Sequence, residues 1–327
     1  MAARKSVEEK LDALDELVAG SDPVEHVAGL AVALRDKSSR VIAKAARLAA
    51  ERFHYDLVPE LVATFGRLCL ADKPAKVDPS CVAKNALARA LVELDCADAA
   101  FYLAGLSLRQ PEPVWGGTAD TAADVRSTCA MGLVASGHRR ALAAVTPLLF
   151  DPEAAARLGA VRAVGCGNPK EAELVLRAKI LAGDAEPAVV GEAFSALLSV
   201  APEESVEFVA QFLDAGHAAH AELAALALGE SHLEAALEPL KAAWRDPLPR
   251  PGLRRVLVRA AAAHRTEAAV DWLTTILTDA DVRTAAIAIE TLEAFRHDKK
   301  LAAGVKDALV RRANGELLAR YAQLWGD

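Results

Sequence analysis

Apolar residues recur along this chain at the three- and four-residue spacing of one helix face, and the pattern restarts at regular intervals. Eight stretches carry it: VIAKAARLAA from Val41, VAKNALARAL from Val82, VRSTCAMGLV from Val125, ARLGAVRAVG from Ala156, VVGEAFSALL from Val189, AHAELAALAL from Ala219, LRRVLVRAAA from Leu253 and VRTAAIAIET from Val282. Their starts lie 41, 43, 31, 33, 30, 34 and 29 residues apart. In each the first position is apolar and the positions four and five later are small or apolar, which draws one stripe down a helix.

A second amphipathic helix is predicted between these stretches, often opening after Pro, Asp or Ser, as in PKEAELVLRAKIL, PEESVEFVAQFL and SHLEAALEPLKAAW. Proline near a first turn and glycine near an end are helix punctuation. No sustained alternation of Val, Ile and Thr occurs, so strands are not expected. A single helix pair cannot bury both of its faces, so pairs repeated at this period are expected to stack around a continuous core. The reading is an all-α, right-handed α-solenoid of about eight helix pairs in one domain. Residues 1–21 form an N-terminal cap helix, 22–299 the repeats and 300–327 a C-terminal cap.

Composition sharpens this picture. Hydrophobic residues make up 53% of the 327 and aromatic residues only 5%, because alanine carries much of the apolar content. Small side chains suit closely packed helices better than one large core. The N-terminus, MAARKSVEEKLDALDELVAG, is charged and amphipathic and lacks a signal-peptide core. No apolar run reaches about 18 residues, the length that would span a bilayer. Cys69, Cys81, Cys96, Cys129 and Cys166 are odd in number, scattered and without a C-x-x-C, as expected of reduced, buried thiols in a cytoplasmic protein.

The junctions DTAADVRSTCAMGLV (120–134) and TDADVRTAAIAIETL (278–292) resemble those of the HEAT-repeat family, in particular the short bacterial repeats known as PBS-lyase HEAT-like. The resemblance runs from about residue 22 to 300. It implies a stacking ladder in which Asp124 works with Arg126 and Asp281 with Arg283. Arg157 and Arg254 fill the arginine position without the preceding Asp, and no arginine follows Val189 or Ala219. The resemblance also implies that the chain binds other proteins, since such solenoids rarely catalyse.

The two longest spacings mark inserted turns, ADKPAKVDPS (71–80) and RQPEPVWGGTAD (109–120), and a third turn is RDPLPRPG (245–252). Turns at equivalent places project from one edge of a repeat stack, so the first two are expected to be neighbours and to form a binding edge. Trp115 either anchors a partner there or folds back to plug a gap between repeats. Pro111 and Pro113 stiffen the approach, and Gly116 and Gly117 allow the chain to reverse.

Charge is also uneven. Residues 180–240 hold eleven carboxylates and no Lys or Arg, a net of −11, whereas 241–265 carry a net of +6. Arg250, Arg254, Arg255 and Arg259 form a candidate basic patch. Arg255 and Arg259 sit opposite the apolar stripe of Leu253, Val256, Leu257 and Ala260, facing either an acidic partner or the acidic block.

Signatures of chemistry are sparse. His217 and His220, with Glu222 or His232, lack the spacing of a metal site. No G-x-S-x-G, P-loop or dinucleotide fingerprint occurs, and VGCGNP at 164–169 is a turn. The expectation is therefore a protein that is not an enzyme, with no cofactor and no metal: a scaffold holding a protein partner through Trp115, Gly116 and Gly117 and through Arg250, Arg254, Arg255 and Arg259. Two alternatives stay open. One is a nucleic-acid-binding protein like the HEAT-like DNA glycosylases, for which Trp244 and Trp272 stand beside the arginines. The other is a HEAT-like lyase subunit. The acidic block argues against a nucleic-acid track, which needs a continuous positive stripe.

Overall fold

The computed structural model describes residues 6–20, 22–214, 218–245 and 251–326. All eight periodic stretches are helices, and the described residues fall into two compact units, 1–175 and 176–327.

The first unit holds α1 (Val7–Ala19), α2 (Pro23–Leu34), α3 (Ser39–Glu51), α4 (Val58–Cys69), the short α5 (Pro74–Val77), α6 (Val82–Glu93), α7 (Ala99–Leu106), α8 (Ala123–Ala135), the short α9 (Ala141–Val145) and α10 (Ala154–Gly165). The second helix of each pair packs on the next in the series α3, α6, α8, α10. The core between them is built from small and branched residues: Ala45, Ala46 and Ala49, then Leu87, Ala88 and Leu91, then Cys129, Ala130 and Leu133, then Ala160, Val161 and Val164. The approach is close enough that a Cβ on Gly159 of α10 would lie 2.7 Å from the Ser127 Cα of α8.

Chain punctuation falls where the residue types require it. Ser6 and Glu9 form a reciprocal capping box at the start of α1, Asp22 caps α2 ahead of Pro23, and Asp98 caps α7.

α11 (Pro169–Ala182) contains the position where one unit gives way to the other. The second unit continues with α12 (Pro187–Val200), α13 (Pro202–Ala210), α14 (Ala218–Glu230), α15 (Leu237–Arg245), α16 (Pro251–His264), α17 (Glu267–Asp279), α18 (Val282–Leu292), α19 (Lys299–Arg312) and α20 (Gly315–Trp325). Here α12, α14, α16, α18 and α20 pack in series. Leu301, Val305 and Leu309 of α19 and Leu317 and Tyr321 of α20 extend the core of this unit.

The expectation of no strands is corrected. β1 (Pro111–Val114) and β2 (Gly117–Asp120) form an antiparallel hairpin inside the 109–120 insertion. Each strand is only four residues long and one holds two prolines, which conceals the pattern of alternation.

Candidate functional site

The hairpin register pairs Val114 with Gly117, Glu112 with Ala119, Pro113 with Thr118 and Pro111 with Asp120. Trp115 and Gly116 make the turn, and Gly116 takes φ +88°, which costs glycine little. Trp115 is fully exposed, at 104% of its reference area. It therefore does not plug a gap between repeats. Thr121 donates its N–H to the Gln110 carbonyl at 3.0 Å, so that pair and every second pair beyond it carry the ladder bonds. Pro111 and Pro113 fall on the alternate positions, where backbone nitrogens point away from the partner strand.

The base of the hairpin is fixed to the 71–80 loop, so the two insertions are neighbours as expected. The Glu112 carboxylate accepts from the Ser80 N–H at 2.8 Å, from Gln110 Nε2 at 2.7 Å and from Thr121 Oγ1 at 2.7 Å. Gln110 Nε2 also donates to the Asp78 carbonyl at 2.9 Å. Burial pushes the Glu112 carboxyl up, but the bonds from Gln110, Thr121 and Ser80 outweigh it, and its pKa lies below the ordinary value.

Under the loop, Asp78 is fully buried. It accepts from Ala83 N, Lys84 N and Lys84 Nζ at 2.8, 3.0 and 2.9 Å, capping α6 while neutralising the equally buried Lys84. These bonds hold Ser80 and Cys81 at φ 56° and 50°, two consecutive left-handed residues that would otherwise relax.

Asp124 was expected to share a stacking ladder between repeats with Arg126; the structure leaves Asp124 out of it. Asp124 is exposed, whereas the fully buried Arg126 donates to Asp120 at 2.6 Å, to Asp151 at 2.7 Å and to the Leu108 carbonyl at 2.9 Å. Arg109 also reaches Asp151, at 2.9 Å, and Arg157 donates to the Asp151 carbonyl at 2.8 Å. A ladder between neighbouring repeats does exist, but it runs through the loop aspartates. Asp281 is likewise not the partner of Arg283; it caps α18, accepting from Thr284 N at 3.0 Å and Thr284 Oγ1 at 2.6 Å.

In the second unit, Arg255 and Arg259 are exposed on α16 and have no ion-pair partner among the described residues, while Leu253, Val256, Leu257 and Ala260 are buried beneath them. Arg254 stands apart from them. It is half-buried with its guanidinium 5.4 Å from the Trp244 ring centre, and Trp244 meets Trp272 edge to face at 6.3 Å. Both tryptophans pack against the core of this unit, so they are packing residues rather than a display for bases. Arg250 and His217 lie outside the described residues, as does most of the 245–252 turn.

The cysteines are free, but they are not uniformly buried: Cys166 is exposed and Cys69 half-buried. Burial holds the Cys69 thiol at about 11 and the Cys129 thiol at about 12, so neither supplies a thiolate near neutral pH. His220 lies beside the Phe212 ring at 6.1 Å. No helix among the described residues is long and apolar enough to cross a membrane.

No protein-family model matches the chain, and no curated protein sequence matches it. Solved structures do resemble it. The complex of CpcE and CpcF of phycocyanin lyase from Nostoc sp. PCC7120 is 17% identical over 82% of this chain and 94% of that one, with a TM-score of 0.38. Human deoxyhypusine hydroxylase in complex with glycerol is 18% identical over 80% and 91%, with a TM-score of 0.32. An engineered protein is 15% identical over 99% and 97%, with a TM-score of 0.39. The fold is thus an all-α helical repeat. Two of these structures are of enzymes, and the expectation that this chain is not an enzyme is withdrawn on that finding. At these TM-scores no catalytic residue is carried across.

Proposed function

We propose that this chain binds a protein partner in the cytoplasm, using the edge formed by the 71–80 loop and the 109–120 hairpin, with Trp115 as the anchor. The observation that carries the reading is a wholly exposed tryptophan on a hairpin whose base is braced by two hydrogen bonds to the 71–80 loop and two more within its own strands and flanks. An exposed indole costs solubility, and a braced loop has little ordering entropy left to lose on binding. Tryptophans so placed dominate contact energies. Gly116 and Gly117 keep the turn open beside it, with nothing within 4 Å of where a side chain would stand.

Arg255 and Arg259 form the second proposed contact, with an acidic segment of a partner. The short PBS-lyase-like HEAT subclass is the proposed affiliation, supported by the junctions at 120–134 and 278–292. A lyase subunit working through a second protein is compatible with this reading. The deciding experiment is affinity capture from the source cytoplasm by the full chain and by Trp115→Ala. Partners recovered equally by both would overturn the Trp115 anchor.

A further inference from the structure

We infer that the groove between α3 and α6 takes an extended segment of a partner protein in which an acidic and a basic side chain stand two residues apart. This deepens the proposal above and rests on it only for the class of occupant.

The groove encloses about 470 Å³. Its floor is Ala43, Ala86 and Ala90, small enough to let a backbone lie close. Its walls carry the same charges on both helices: Arg47 and then Glu51 on α3, Arg89 and then Glu93 on α6. All four side chains are exposed, and none has an ion-pair or hydrogen-bond partner among the described residues. Both arginines line the groove, each one helical turn ahead of the glutamate on its own helix. A lone stretch of nucleic acid would satisfy the arginines but meet the glutamates as like charges. A peptide can satisfy both pairs.

An extended peptide matches the spacing of these charges. Residues four apart on a helix are about 6 Å apart along its axis. In an extended chain, side chains i and i+2 share a face and stand about 6.6 Å apart. An acid–x–base or base–x–acid triplet therefore places one charge between Arg47 and Arg89 and the other between Glu51 and Glu93. Asn85 lines the same groove, adding a polar side chain between the charged walls. Ser80 lines one end, and its N–H is the group held by Glu112, so the Trp115 hairpin stands at the mouth of the groove.

The test is selection of phage-displayed random peptides on the full chain, on Arg47→Glu/Arg89→Glu and on Glu51→Lys/Glu93→Lys. Wild type is expected to enrich peptides with opposite charges two residues apart. The first variant should switch to base–x–base and the second to acid–x–acid, each losing about tenfold or more in affinity for the wild-type peptides. Thermal midpoints confirm folding, and Arg47→Gln/Arg89→Gln replaces the first variant if it is unstable; it should lose only the preference for an acid. Enrichment without paired charges, preferences unmoved by the substitutions, or no enrichment at all would overturn the inference. A parallel selection on Trp115→Ala separates the two proposals. Charge-paired peptides kept by that variant would leave the groove standing and the anchor fallen, and the reverse pattern would do the opposite.

Discussion

The Ser80 N–H donates to the Glu112 carboxylate at 2.8 Å, tying together two loops that are 32 residues apart in sequence. Each loop alone is an irregular insertion. Joined, they become one rigid edge, because Glu112 also gathers Gln110 and Thr121 from its own hairpin.

That junction titrates. The pKa values of Glu112 and Asp120 both lie below their ordinary 4.5 and 3.8, despite the opposing effect of burial. Carboxyls with a depressed folded pKa stabilise the fold above their unfolded pKa, and the contribution disappears as pH falls through the folded value. Amide exchange at residues 110–121, corrected for intrinsic rates, should stay flat from pH 8 to about 5 and rise below about 4.5. Glu112→Gln should exchange faster at neutral pH and show a smaller acid step. Equal exchange in both proteins would show that the carboxylate does not brace the hairpin.

Arg126→Leu leaves the buried Asp151 and the nearly buried Asp120 without their shared cation. Arg109 still reaches Asp151, which softens the loss. Denaturant unfolding should give a destabilisation of about 3 kcal/mol, the low end for breaking a buried pair. Asp124→Ala should stay within about 0.5 kcal/mol, as exposed sites do. The reverse order would restore Asp124 as the partner of Arg126.

Gly229 of α14 packs on the backbone of α16, where an added Cβ would stand 2.4 Å from the Ala260 carbonyl oxygen and 2.6 Å from its Cα. Backbone cannot swing aside, so Gly229→Ala should cost about 1–3 kcal/mol, as overpacking does. Gly66 in α4 has nothing within 4 Å, and Gly66→Ala should stabilise by about 0.5–1 kcal/mol. Thermal scans of the two variants should move in opposite directions.

Arg255→Glu/Arg259→Glu should leave the thermal midpoint nearly unchanged, because both side chains are exposed and without ion-pair partners among the described residues. Capture of an acidic partner should weaken and lose its salt dependence. A collapse in stability would place these arginines in an internal network.

Helix positions were legible because burial follows periodicity: the stripe Leu253, Val256, Leu257 and Ala260 is buried and Arg255 and Arg259 lie outside it. The adjacency of the two insertions was legible from the repeat period. The hairpin was not, since Pro-Glu-Pro-Val reads as a breaker until the Trp-Gly turn is set against Gly-Thr-Ala-Asp. Nor were the partners of Arg126, because the nearest Asp in sequence faces solvent while the aspartates it binds lie 6 and 25 residues away. Glu112 and Lys84 look like surface charges in sequence. Only the fold brings Ser80, Gln110 and Thr121 to one and Asp78 to the other.

The prolines of β1 bear on solubility. A two-stranded ribbon carrying a bare indole would ordinarily invite copies of itself to add strand upon strand. With Pro111 and Pro113 in the outward positions, β1 has no N–H to offer a neighbour, so recruitment through that side is blocked. Any pairing through β2 would stop at two molecules, each ending in a prolyl edge, and the chain can display Trp115 to a partner without seeding its own polymer.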